Sequence, residues 1–332
     1  MTQLLDPPAS PSGPPARPLV GGERPPGFVA DRAFRIVATA AGVLVLVVLG
    51  LIVFATVQKS TDWFSAEGLG GIFSLTWEPS TNHYGAGALI VMTLIVAAVA
   101  LVFAVPVSLG IALFVTEVAP RRARMPIVFM IDLLAAIPSV VFGLWMLNQL
   151  AGPLAGVYRG VHGAVAGVPV LGSLFDDPSA SGLALMTAGI VVAIMITPII
   201  TAITREIFAT TPVAQKEAAL AMGATRWEMI RGAVLPHSRS GVIAAVIIGF
   251  GRAVGETIAV ALVVGSSQKL TGNLFGTGDT MAGIIANQFG EAAGVQRSAL
   301  VGLGVVLLVL TIIVGAFARV VVRRSNQRLG IS

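Results

Sequence analysis

The sequence predicts an all-α integral membrane protein with six transmembrane helices. Of its 332 residues, 55% are hydrophobic and only 11% are charged, and the mean hydropathy is +0.90, well above that of a soluble domain of ordinary composition. Six apolar stretches approach the roughly twenty residues that a helix needs to cross a bilayer. They are Phe34–Val57, Ala86–Phe114, Met125–Leu150, Gly182–Thr204, Gly241–Val264 and Ala299–Val322.

The distribution of basic residues predicts the orientation. Sixteen of the 21 Lys and Arg residues lie in the N-terminal region, Thr116–Arg124, Arg205–Arg239 and Arg319–Arg328, and four lie in the alternate segments. Since basic residues are enriched in cytoplasmic loops, both termini are expected in the cytoplasm. The isoelectric point near 10.4 is explained by this topology, so nucleic-acid binding is not expected.

These spans divide the chain into four parts. Residues 1–31 contain eight prolines and no signal peptide, which predicts a disordered cytoplasmic tail. Residues 32–87 hold the first helix and an external loop, residues 88–322 hold the remaining helices, and residues 323–332 form a C-terminal tail. Three polar segments are expected outside: Gln58–Gly85, Ala151–Ser181 and Gly265–Ser298.

Three prolines lie inside predicted spans, at Pro106, Pro138 and Pro198. Each removes a backbone hydrogen bond and can kink its helix. A bend that serves packing alone is one interpretation; a hinged, moving bundle is the other.

The segment between the fourth and fifth spans predicts a helical hairpin. Thr211 and Pro212 are typical of a helix start, and Gly223 of a left-handed helix end. Thr225 and Glu228 have capping-box spacing for a second short helix, which Pro236 would stop or kink. An amphipathic loop lying on lipid headgroups is the alternative.

The hairpin resembles the EAA loop of permease subunits of ABC importers. The matching residues are Glu217, Ala218, Ala219, Gly223, Leu235 and Pro236. The resemblance covers about residues 88 to 322, and it implies the type I ABC importer permease fold and a loop that docks on an ATP-hydrolysing subunit. The chain departs from the family pattern at Ala233, where an apolar β-branched residue is usual.

The chain itself has no ATP-binding P-loop, because its only lysines, Lys59, Lys216 and Lys269, each follow a glutamine. The absence of cysteine excludes disulfides and thiol chemistry. No catalytic residue, metal or cofactor is expected in this chain, and ATP hydrolysis is assigned to a separate subunit. A membrane enzyme or a passive channel would be the rival classes, and nucleotide-dependent flux would separate both from an importer.

Two further stretches, AAIPSVVFGLW (Ala135–Trp145) and GFGRAVGETIAV (Gly249–Val260), resemble the phosphate-specific transport (Pst) permeases, closest to the PstC type. The resemblance implies a multi-pass protein of the bacterial inner membrane, surrounded by lipid. It also implies a PstA-type second permease, a PstB-type ATPase dimer and a PstS-type phosphate-binding protein as partners. A PstA-type role, or another oxyanion such as sulfate or molybdate, remains the alternative.

Arg252 lies near the middle of the fifth predicted span, where a guanidinium costs about 2.5–3.5 kcal/mol on insertion scales. Two interpretations remain: an ion pair with Glu256 that fixes packing, or an anion site on the substrate path whose charge is partly offset by Glu256. We favour the second because a guanidinium fits a phosphate oxyanion. Ser139 and Thr257 complete the predicted path.

Two expectations concern the neighbours of these residues. Gly251 and Gly255 would let another helix approach closely. The other intramembrane acid, Asp132, is expected to pair with Arg124 or Arg121.

Overall fold

The structure, a computed structural model, describes residues 28–328, so residues 1–27 of the predicted tail and the last four residues lie outside the described part. The chain divides after Ile52 into two compact units. The described part of the first unit belongs to α1 (Phe28–Lys59), and its side chains from Ala30 to Ile52 are exposed. Helix α1 therefore begins inside the predicted tail.

The second unit, from Val53 onward, is almost entirely helical. Its described helices are α2 (Thr61–Glu67), α3 (Gly87–Leu113), α4 (Arg121–Ala136), α5 (Ser139–Trp145), α6 (Ala151–Val165), α7 (Leu171–Leu174), α8 (Leu185–Ala209), α9 (Val213–Ala221), α10 (Arg226–Met229), α11 (Leu235–Val254), α12 (Ile258–Val263), α13 (Met281–Gln288) and α14 (Gly294–Arg328). Three π-helical turns follow α3, α5 and α10, at Phe114–Val118, Met146–Leu150 and Ile230–Val234. A short antiparallel hairpin joins β1 (Trp77–Glu78) to β2 (His83–Tyr84).

Six helices within residues 28–328 are long and apolar enough to cross a membrane, which confirms the predicted number. The third differs in its bounds, since the uninterrupted helix runs over Ser139–Val165 and the predicted Met125–Leu150 is broken. Helix α4 ends at Ala136, and Ile137 is extended (φ −68°, ψ 129°). The ring of Pro138 disfavours a helical residue before it, which accounts for the break.

The fifth predicted span, Gly241–Val264, is also broken. The helical run that begins at Arg226 ends at Val254, and α12 begins only at Ile258. Two glycines at this helix end, Gly251 and Gly255, weaken the helix because glycine gains the most freedom on unwinding.

The core of the second unit is the contact between α3 and α8, which bury small and β-branched side chains against each other. Gly189 permits this approach, because a Cβ there would overlap Val99. Pro106 and Pro198 lie inside α3 and α8 without interrupting them, and the nearby Ser108 hydroxyl donates to the Thr197 carbonyl (3.1 Å). Of the three prolines inside predicted spans, only Pro138 separates two helices.

The first two predicted external segments contain helices, and the second, Ala151–Ser181, overlaps the third candidate span, which runs to Val165. The indole of Trp63 is fully buried and donates to the Tyr84 carbonyl (2.8 Å), and a Cβ at Gly302 would overlap its ring. In the second segment, the hydroxyl groups of Tyr158 on α6 and Thr187 at the start of α8 lie 2.8 Å apart. Helix α6 therefore packs beside the end of α8 that is remote from α9.

Candidate functional site

The hairpin between α8 and α11 turns at Gly223. This residue has φ +86° and its N–H donates to the Leu220 carbonyl (3.0 Å), which confirms the predicted left-handed end of α9. The predicted capping box is confirmed as well: the Glu228 N–H donates to the Thr225 hydroxyl (3.3 Å), and the Thr225 N–H donates to the Glu228 carboxylate (2.8 Å). The corner is therefore fixed by one glycine and two reciprocal hydrogen bonds.

The start of the hairpin differs from the prediction, and so does one of the two outcomes predicted for Pro236 at its end. The N-cap position of α9 is Pro212, not Thr211, and the Thr211 hydroxyl lies 3.5 Å from that of Ser238 instead. Pro236 does not stop the second helix, because α10 continues through the π turn into α11. Pro236 lies in the first turn of α11, just after this wider turn, where a missing N–H is tolerated.

The hairpin presents a face of exposed apolar side chains around a hollow of about 620 Å³. Met222 is 84% exposed and Trp227 is 61% exposed. Residues from both arms line the hollow: Gln215, Ala218, Ala219, Met222, Ala224, Glu228, Gly232, Ala233, Pro236 and His237. We call this surface the hairpin face. The hairpin face is a candidate binding surface for another protein, since large exposed apolar patches mark interaction sites.

The predicted coupling residues take different places in the hairpin. Ala218, Ala219 and Pro236 line the hollow, Glu217 is exposed beside it, and Gly223 forms the corner. Leu235 packs instead beneath the hairpin, against a buried cluster formed by Ala112, Phe208, Met229, Ile230 and Val234. This cluster fixes the hairpin to α3 and α8.

The second candidate site lies where α4–α5 and α11–α12 are broken. Helix α5 packs on α12, and a Cβ on Gly143 would lie 2.9 Å from the Cα of Ala259. Because both residues come soon after a break, the two breaks are neighbours. Unwound backbone within a membrane protein is tolerated where it is buried or lines a cavity.

The four predicted path residues lie at these breaks. Arg252 is in the last turn of α11 and is exposed, whereas Glu256 lies in the break itself and is 9% exposed. Thr257 donates to the Gly255 carbonyl (3.1 Å), and Ser139 is the first residue of α5. Their role in a substrate path stays a prediction.

The considered ion pair between Arg252 and Glu256 is not formed within residues 28–328. Its geometry required a continuous helix, and α11 ends at Val254.

Gly251 and Gly255 also do not contact another helix of the described chain, because a Cβ on Gly251 would meet nothing within 4 Å and one on Gly255 only its own turn.

The expected partner of Asp132 is also wrong. Arg124 donates to the backbone carbonyls of Thr116 (2.9 Å) and Ala119 (3.1 Å), and Asp132 forms no ion pair with any residue in the described range. Asp132 lies on the exposed side of α4. Its position about 16 Å along the axis from Arg121, at about 1.5 Å per residue, keeps it far from the charged start of the helix.

Two polar features were not predicted from the sequence. Lys216 Nζ lies 2.6 Å from Glu117 Oε1, and Asp279, between α12 and α13, is 1% exposed. No local sequence pattern predicts either feature. Lys216 and Glu117 are far apart in sequence, and the burial of Asp279 depends on how the helices pack. The one available hint was that Lys216 is the only lysine of the hairpin.

Comparison with known proteins agrees with the hairpin and the six spans. Residues 104–327 match the family described as "Binding-protein-dependent transport system inner membrane component", and the chain belongs to this family. Two solved structures of a bacterial alginate ABC transporter share the fold, with TM-scores of 0.60 and 0.56 at 16% and 18% identity, covering 90% and 89% of this chain and 98% of those chains.

Within this family the chain groups with PstC permeases. It is 41% identical over 91% of its length to the "Phosphate transport system permease protein PstC" of Xylella fastidiosa, covering 93% of that protein. It is 39% identical over 91% of its length to "Phosphate transport system permease protein PstC 2" of Mycobacterium tuberculosis, covering 95% of that protein.

Proposed function

We propose that this chain is a transmembrane permease subunit of an ATP-driven importer of inorganic phosphate. It forms half of the translocation path and contains no ATPase of its own. A PstA-type permease forms the other half, a PstB-type ATPase dimer binds the hairpin face, and a PstS-type protein delivers phosphate at the opposite end of the bundle. The chain lies in the bacterial inner membrane with both termini and the hairpin in the cytoplasm.

The hairpin face carries this proposal. It is a largely apolar surface, fixed to the spans by a buried cluster and exposed on its other side, and the sequence has no P-loop of its own. A surface of this kind needs a partner that supplies energy. The PstC names of the relatives support phosphate as the solute, and the guanidinium of Arg252 has the chemistry of an oxyanion ligand.

Reconstitution tests the proposal. In proteoliposomes that hold this chain with an ATPase, a second permease and a binding protein, we expect ATP-dependent, vanadate-sensitive uptake of radiolabelled phosphate. The chain alone should give none. Uptake by the purified chain without nucleotide would contradict the proposal and favour a passive channel.

A competition arm identifies the solute. Excess unlabelled phosphate should suppress uptake, whereas equal excesses of sulfate or molybdate should not. Suppression by sulfate or molybdate, with none by phosphate, would reassign the importer to another oxyanion.

A further inference from the structure

An ion pair connects the hairpin to the transmembrane helices. Lys216 Nζ of α9 lies 2.6 Å from Glu117 Oε1 at the end of α3, and their side chains are 19% and 7% exposed. Of the ion pairs in residues 28–328, this is the one in which both side chains are less than 20% exposed. Removing one partner from such a pair leaves a desolvated charge behind, so the two positions depend on each other.

Lys216 points away from the hairpin face. Its neighbours Gln215, Ala218 and Ala219 line the hollow, and Lys216 does not. A protein bound at the hairpin face would therefore leave this ion pair intact. Movement of α9 would reach Glu117 through the pair.

Glu117 lies on the π turn Phe114–Val118 that continues α3. The carbonyl groups of Thr116, in this turn, and Ala119, just after it, accept hydrogen bonds from Arg124 of α4. Helices α9, α3 and α4 thus meet at one point. π turns are uncommon and often mark functional positions, and α4 leads directly to the break at Pro138.

We propose that the Lys216–Glu117 ion pair transmits movement of the hairpin to α3 and α4, which makes both side chains positioning residues for the coupling of ATP hydrolysis to transport. The proposal rests on the ATP-driven import proposed above. It predicts that losing the pair uncouples the two activities, whereas a pair that only stabilises the fold would lower both together.

The test uses the complete reconstituted complex and measures three quantities: subunits recovered on co-purification, ATP hydrolysed, and solute imported per ATP. Lys216→Met and Glu117→Gln should keep assembly and at least half of the hydrolysis while import per ATP falls at least fivefold. The double variant with both changes leaves no charge unpaired, so it should assemble normally and still be uncoupled. The charge swap Lys216→Glu with Glu117→Lys should recover most of the coupling.

A matched control is the ion pair between Arg205 and Glu206 on α8, which are neighbours in sequence and 2.9 Å apart. Arg205→Met should leave import per ATP unchanged. Parental coupling in the double variant would overturn the proposal, and so would a proportional loss of assembly, hydrolysis and import. Solute imported per ATP can be measured for whichever solute the parental complex carries, so a wrong solute assignment is distinguishable from a wrong coupling role.

Discussion

At the hairpin end of the bundle, Lys216 is paired with Glu117 at 2.6 Å and Arg124 donates to two carbonyl groups. Arg252 in the last turn before one helix break and Asp132 within α4 are exposed and form no ion pair within residues 28–328. Charges inside a membrane are costly and are normally paired or face water. The charges of the first region are paired or hydrogen-bonded within this chain, whereas Arg252 and Asp132 are left exposed without an ion pair among the described residues.

The difference has a functional meaning. A region that is proposed to transmit movement must stay connected to the transmembrane helices, and the Lys216–Glu117 ion pair and the buried cluster under the hairpin provide such connections. A region that carries an anion must leave its cation available, because a guanidinium already neutralised by a close carboxylate binds an oxyanion less well. The separation of Arg252 from Glu256 weakens the packing interpretation, and it also leaves Arg252 without the partial neutralisation by Glu256 that was expected from the sequence.

The largest expected effect is at Arg252, and it tests directly whether the exposed charge at the helix break serves transport. Arg252→Gln removes a charge-assisted hydrogen-bond donor worth about 1.5–3 kcal/mol, so we expect phosphate uptake to fall roughly 10- to 100-fold. Because Arg252 and Glu256 are not paired, adding Glu256→Gln should not restore uptake. Uptake is measured in the reconstituted complex, together with assembly and ATP hydrolysis, which should stay near parental values.

Arg239→Gln is the control for Arg252, since Arg239 is exposed and lies on the same helix. It should change uptake little. Return of uptake to the parental level in the Arg252→Gln, Glu256→Gln double variant would remove Arg252 from the anion path.

A smaller effect is expected at the corner of the hairpin. Gly223 has φ +86°, and a Cβ there would meet no atom beyond its chain neighbours within 4 Å, so a substitution is resisted by the backbone conformation and not by packing. Gly223→Val should cost at least about 1–2 kcal/mol in that conformation and lower transport severalfold, with insertion unchanged. Gly223→Asn should lose much less, because asparagine tolerates left-handed backbone.

Transport and ATPase binding of the two Gly223 variants would be compared side by side. Equal activity of the valine and asparagine variants would mean that the left-handed corner at Gly223 is not required for coupling.

The smallest effect is expected at Asp279, a buried carboxyl group that forms no ion pair with the described residues. Its Oδ1 accepts the Thr280 N–H (2.8 Å), and its Oδ2 has no hydrogen-bond partner among the described residues. Burial raises the pKa of Asp279 to about 6. The folded protein therefore holds this proton more tightly than the unfolded chain does.

The sign of the pH dependence follows. Between the ordinary pKa of 3.8 and the raised pKa of about 6, the folded state binds more protons, so the stability contributed by protonated Asp279 is lost as pH rises through this window. Asp279→Asn should flatten the change in thermal unfolding midpoint between about pH 4 and 7. An unchanged slope in the variant would show that other groups set it.

Much of the architecture was predictable from local sequence. Long apolar runs predicted six spans, and Gly223 with Thr225 and Glu228 predicted the corner, since these signals act within a few residues. Thr211 was misassigned as the N-cap of α9, and Pro236 does not stop the second helix, because the contact of Thr211 with Ser238 and the π turn Ile230–Val234 depend on how the hairpin packs on α8 and α11.

The sequence by itself identified the isolated charges in its apolar runs, Asp132, Arg252 and Glu256, and of these Arg252 lies within a candidate membrane span of the described chain. Only the tertiary structure decided which of the chain's charges are paired. Lys216 meets a residue 99 positions away, and the end of α11 at Val254 separates Arg252 from Glu256. The physical reason is range: helix formation and capping depend on adjacent residues, whereas an ion pair depends on where whole helices pack and on how much water they exclude.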